Sequence, residues 1–139
     1  MALKASDLNV GDKHSEVVVE DLKRTQLVMY AGASGDYNPV HTDEVFTTQV
    51  AGYPSVFAHG MLSMGLTGKM LTNYVGDGRL TRYGVRFTSQ VWPGDSLTAT
   101  AEVEALREEE GKKLVDLKLS TTNQDGVVVV SGYATAIVD

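Results

Sequence analysis

An α+β fold is predicted for this chain, with a curved antiparallel sheet wrapped over one long apolar helix, and three observations predict it. From Gly60 to about Tyr74 the residues Met61, Leu62, Met64, Leu66, Met70 and Leu71 cover more than one narrow stripe, so the helix they form is largely enclosed by other structure. From Ser96 to Ala105 apolar and polar residues alternate strictly: Leu97, Ala99, Ala101, Val103 and Ala105 point one way, Ser96, Thr98, Thr100, Glu102 and Glu104 the other. After Tyr83 the pattern stays that of strands, interrupted by the turn signals Pro93-Gly94-Asp95 and Gln124-Asp125-Gly126.

Taken in order, Ser15 to Glu20 reads as a first strand because three consecutive valines form its centre. A helix follows from about Arg24 to Ser34, where Leu27, Tyr30, Ala31 and Ser34 recur at helical spacing and Gly32 and Gly35 weaken the end. A short helix is expected from Asp43 to Val50, capped by Thr42. Ala51 to Ser55 is a breaker-rich link into the long helix, whose glycines Gly60, Gly65 and Gly68 suit close approach of another backbone. In the next strand Tyr83, Val85, Phe87 and Val91 share a face, with Arg82, Arg86, Thr88 and Gln90 opposite. Arg107 to Lys113 is expected to be a charged hairpin tip, with strands at Leu114–Thr121 and Val127–Val138. Val127 to Val130 is apolar on both faces, which places that strand centrally or at a subunit contact.

The 139 residues fit one domain, 1–139, and the 42% hydrophobic and 22% charged content is that of a soluble globular protein. Even the most apolar stretch, Met61 to Val75, is interrupted by Gly, Thr, Lys and Asn, so no membrane span is expected. The N-terminus lacks the apolar run of a signal peptide, and the absence of cysteine removes disulfide, thiolate and sulfur–metal chemistry; both fit a cytoplasmic protein. A net charge of −6 argues against nonspecific nucleic-acid binding. Lys69, Arg79, Arg82 and Arg86 form a local basic group, either a landing point for a phosphopantetheine carrier or simply a solvated strand face.

Chemistry is to be sought first in Ala31 to Val45. There Asp36 and His41 lie five residues apart on backbone that Gly35 and Asn38-Pro39 keep irregular. A carboxylate and an imidazole held together by a stiff loop can share one water, with histidine as a base near neutral pH. The same spacing also fits ordinary turn residues beside a capped helix, and spacing alone does not choose between the two. Gly60 opens the long helix, whose unpaired N–H groups can receive an oxyanion or can merely mark the passage from loop to helix.

The stretch Tyr30-Ala-Gly-Ala-Ser-Gly-Asp36-Tyr-Asn38-Pro39-Val-His41, with Ala58-His59-Gly60-Met61, resembles the signature of MaoC-like, (R)-specific enoyl-thioester hydratases. The likeness runs through Tyr83-Gly84-Val85-Arg86-Phe87, Pro93-Gly94-Asp95 and the closing strands, nearly the whole chain. It implies a hot-dog fold. Met61-Leu62-Ser63-Met64-Gly65 and Tyr74-Val75-Gly76-Asp77 look most like the β subunits of mycobacterial (3R)-hydroxyacyl-carrier-protein dehydratases, while bacterial hydratases of coenzyme A thioesters share many of the same residues. The carrier is therefore left open between coenzyme A and acyl carrier protein. So are acyl chain length, physiological direction and which dyad residue protonates C2.

By resemblance, Asp36 and His41 are the acid/base dyad, Asn38 a positioning residue and the Gly60 N–H an oxyanion donor. The implied reaction adds water to C3 of a trans-2-enoyl thioester and a proton to C2, or runs in reverse as a dehydration. No metal or redox cofactor is implied. His14 and His59 lack ligand spacing with His41, and Gly65 to Met70 lacks the Ser/Thr of a phosphate loop. Partners implied are an acyl thioester and a second hot-dog subunit, identical or different. Two other classes share the fold: a thioesterase attacking C1, and a noncatalytic acyl-binding or partner-stabilising subunit, which would have no need of both dyad residues.

Overall fold

The computed structural model describes residues 3–139. Its elements are β1 (Lys13–Val19), α1 (Arg24–Ser34), α2 (Glu44–Gln49), α3 (Gly60–Val75), β2 (Leu80–Phe87), β3 (Leu97–Glu109), β4 (Lys112–Thr122) and β5 (Val128–Val138), with single 3-10 turns at Ala5–Asp7 and Pro39–His41. The five strands form one antiparallel sheet in the order β1-β3-β4-β5-β2.

The alternation in β3 decides which face of the sheet is covered. Leu97, Ala99, Ala101 and Val103 are buried, and Ala134 and Ala136 of β5 join them. Alanines project little from a sheet, so α3 settles close and seats Met70, Leu71 and Val75 among Val103, Val115, Leu117 and Leu119. A second apolar cluster, with Leu22, Leu27, Val56, Ala58, Leu62, Leu97, Val129 and Val130, joins α1 and the start of α3 to the other end of the sheet. Val129 and Val130 are buried because β5 lies between β4 and β2, whereas Val127, just before the strand, and Val128 of the same apolar run remain exposed.

Several expectations need correction. Charge did not end β3 at Arg107: the strand runs to Glu109 and the hairpin turns on Glu110 and Gly111, whose φ values of 51° and 77° make a tight two-residue reversal. Glu108 faces Lys113 and Glu109 faces Lys112 across the ladder, so opposite charges accompany pairing there. Asp43, not Thr42, caps α2, its carboxylate accepting from the Phe46 N–H at 3.1 Å. Ser34 is exposed rather than inward. β2 begins at Leu80 and ends at Phe87, which is 50% exposed.

The long helix is also less enclosed than its composition suggests. In its second half Met70, Leu71 and Val75 are fully buried while Lys69 and Asn73 face solvent, and in its first turn Met61 is 56% exposed. Of its three glycines, Gly60 lies under the Phe87 ring, where a Cβ would come within 2.8 Å; Gly68 approaches Tyr83; Gly65 has open space.

Candidate functional site

The site begins where α1 stops. Gly35 adopts the left-handed conformation (φ 75°) and its N–H closes on the Ala31 carbonyl at 3.0 Å, turning the chain sharply out of the helix. The Asp36 N–H then donates to Ser34 Oγ at 3.1 Å, and the Asp36 carboxylate accepts from the Asn38 N–H at 3.2 Å. Asn38 repeats the device, its side-chain oxygen accepting from the Val40 N–H at 3.2 Å, and Pro39 opens the 3-10 turn that carries His41. Each side chain thus fixes backbone two residues on, and the dyad loop is stiff for that reason.

His41 is turned inward. Its Nδ1 lies 2.6 Å from the Phe57 carbonyl, and the Phe57 N–H returns a bond to the Val40 carbonyl at 3.2 Å. A carbonyl only accepts, so Nδ1 carries the proton of the neutral ring and Nε2 keeps a lone pair. Burial pushes the His41 pKa below 6.5 and the neighbouring His59 adds to this, against the opposing pull of the Phe57 carbonyl and of Asp36. The ring is consequently neutral at pH 7 and able to act as a base at Nε2.

Asp36 and His41 do come together. With His59 they offer polar side-chain atoms all within 4.8 Å of one another. One water with two ordinary hydrogen bonds spans roughly 5.5 Å, so a single molecule can touch both members of the dyad. Asp36 is exposed at the mouth of this group while His41 and His59 are buried.

The expectation that His59 lacks ligand spacing with His41 needs correction, since the fold brings the two side chains together. The two rings stack at 3.8 Å between centroids with 24° between planes, and His59 Nε2 reaches the Asp36 backbone carbonyl at 3.1 Å. Two histidines and a carboxylate invite comparison with a metal centre. Face-to-face rings, however, direct their lone pairs in nearly parallel planes, which suits convergence on one tetrahedral ion poorly. His14 lies elsewhere, stacked on Tyr74 and bonded to Glu16 at 2.7 Å.

Gly60 follows His59 directly and starts the 16-residue α3. It lines a cavity of about 300 Å³ together with Phe57, Ala58, Ser63, Phe87 and Val129. Asp36 and His41 do not line that cavity; Phe57, whose carbonyl holds His41, joins it to the dyad. Of the basic group, Lys69 lies on α3, Arg79 stands just before β2 and pairs with Asp139 at 2.8 Å, and Arg82 of β2 lies 4.4 Å over the Tyr133 ring.

Residues 8–125 match the family model described as "MaoC like domain". An (R)-specific enoyl-CoA hydratase of Rhodospirillum rubrum is 32% identical over 132 residues, covering 94% of this chain and 89% of that protein. The 3-hydroxyacyl-thioester dehydratase Y of Mycobacterium tuberculosis is 34% identical over 90 residues, 63% of this chain, which spans only 31% of that longer protein. The solved structure of an unliganded R-hydratase from Pseudomonas aeruginosa superposes with a TM-score of 0.84 at 30% identity, covering 99% of this chain and 86% of that one. The sheet and helix described above are accordingly those of a hot-dog fold.

Proposed function

From the premise that this chain belongs to the MaoC-like family, we propose that it is a hydro-lyase that reversibly hydrates trans-2-enoyl thioesters to (R)-3-hydroxyacyl thioesters, with Asp36 and His41 as the dyad. The single observation that carries the assignment of residues is the placing of the Asp36 carboxylate and the inward-turned, neutral His41 within reach of one water.

In the forward direction the water oxygen bonds to C3 while the dyad accepts a proton from it. The C2–C3 π electrons move toward the thioester carbonyl, giving an enolate whose oxygen is received by the Gly60 N–H. A proton from the dyad then bonds to C2, the carbonyl re-forms, and the dyad is restored. A backbone donor at a helix start costs no reorganisation as charge builds, and one such donor has been worth roughly 3 kcal/mol in other enzymes. Asn38 acts through the loop, holding the turn that aims His41.

The thioester reaches the site on coenzyme A or on an acyl carrier protein, which present the same pantetheine group. Residues 1–139 act as one hot-dog unit, and a second, identical or different, covers what a single unit leaves open: the edge strands β1 and β2, and the exposed apolar side chains of Met61, Phe87, Val127 and Val128. A cytoplasmic location belongs to the same proposal and is supported by the absence of cysteine. Crotonyl-CoA incubated with the purified chain and resolved by chiral chromatography is expected to give the (R)-3-hydroxy product. An (S) product overturns the reading, and thiol release without hydration would assign a thioesterase instead.

A further inference from the structure

Among the described residues, His59 Nδ1 is the buried side-chain nitrogen or oxygen that lacks a hydrogen-bond partner. The ring is 2% exposed. Its other nitrogen faces the Asp36 carbonyl, which can only accept, so Nε2 carries the proton and Nδ1 is left as an unpaired acceptor. Burying such an atom is unfavourable, and an apolar side chain of similar size would avoid it. Packing therefore does not explain a histidine here.

Its neighbours do. Tyr30 from α1 packs edge-to-face with the ring at 4.7 Å between centroids, the Asp36 peptide is tied to Nε2, and His41 is stacked on it at 3.8 Å between centroids. Both dyad members are thus in contact with one side chain that belongs to neither loop turn. The titratable groups around the His41 and His59 pair are Asp36 and Tyr30. Two stacked imidazoles cannot both be cationic without strong repulsion.

We propose that His59 is a positioning residue for the dyad: tied at Nε2 to the Asp36 peptide and laid flat on His41, it fixes the two catalytic groups relative to one another. The role rests on the hydratase reading for its kinetic consequences, but its geometry is testable without turnover. It also accounts for the place of His59 in the chain, since the residue that orders the dyad immediately precedes the Gly60 donor.

Nitrogen-15 NMR of the wild-type protein is expected to find His59 as the Nε2–H tautomer and His41 as the Nδ1–H tautomer. An Nδ1–H tautomer at His59 overturns the proposal. His59→Gln keeps a donor toward the Asp36 carbonyl but loses the flat ring; His59→Phe keeps a ring but loses the donor. Each is expected to lower kcat by about 10- to 100-fold, as misplacement of reacting groups does, with KM changed less than about threefold. In His59→Gln the His41 titration midpoint should also move upward. Folded variants with wild-type kcat and an unmoved His41 midpoint contradict the role, and if neither variant folds the wild-type tautomers decide. Should the wild-type protein hydrate nothing, the proposed function fails, while the tautomers and midpoints still judge the positioning of His41.

Discussion

The two ends of α3 were written for different purposes. Toward its C-terminus Met70, Leu71 and Val75 are fully enclosed by alanines and valines of the sheet, the arrangement of a core that supplies stability. Toward its N-terminus Gly60 lies under an aromatic ring, Met61 faces outward, and the preceding His59 carries a buried nitrogen without a partner. Apolar burial has been maximised at one end. At the other, exposed apolar surface and an unsatisfied polar atom are tolerated beside the dyad, and the difference separates where the fold is held from where it acts.

The largest effect expected from this division is at the dyad. Asp36→Asn and His41→Ala should each lower turnover by at least about 100-fold, with circular dichroism and melting temperature near those of the wild type. A folded variant with normal turnover would reduce that residue to a turn or packing element.

At the opposite end, Met70→Ala should cost about 2–5 kcal/mol of stability, as large-to-small changes in closed cores do, while kcat at a temperature where the variant is folded stays unchanged. Denaturant titration beside steady-state kinetics checks both halves of the statement. A loss of kcat in fully folded Met70→Ala would blur the comparison.

Gly60→Ala sharpens the boundary. The added Cβ would stand 2.8 Å from the Phe87 ring, so either the ring or the helix start must move. We expect a loss of about 10-fold or more in kcat, the scale set for a single oxyanion donor being about 100-fold. Phe87→Leu in the same chain should restore part of it by making room. No rescue would mean that the glycine is needed for something other than space.

The smallest effect is in pH. His41 titrates below 6.5 in the folded chain because burial disfavours its cation. The base is the neutral form, so kcat/KM should hold its plateau down past pH 6.5 and fall only below it; an acid limb above 6.5 assigned to His41 would contradict this. In stability the sign is the same: the unfolded chain binds the proton first, so this group's contribution is lost as pH falls through 6.5 toward the folded midpoint.

Much of this was legible in the residues. Alternation in β3 and the apolar density after Gly60 fixed the sheet and helix, because both patterns report one buried face. Gly35 and Asn38-Pro39 marked the dyad loop through local backbone chemistry. Other features depend on contacts that no local pattern contains. His59 and His41 meet only because the Phe57 segment pairs with the His41 turn, and spacing along the chain cannot show that. The end of β3 was hidden because Arg107 to Glu110 is polar on both faces, although its charges find opposite partners across the hairpin. Met61 looks like core in a helical wheel and is surface in the single chain, a conflict that a second subunit would resolve.

If the open end of α3 is where the protein acts and where another hot-dog unit closes it, the chain purified alone and sedimented at assay concentration should be a dimer when it hydrates crotonyl-CoA, or a weak monomer rescued by a separate hot-dog subunit. A fully active monomer at that concentration would contradict the account.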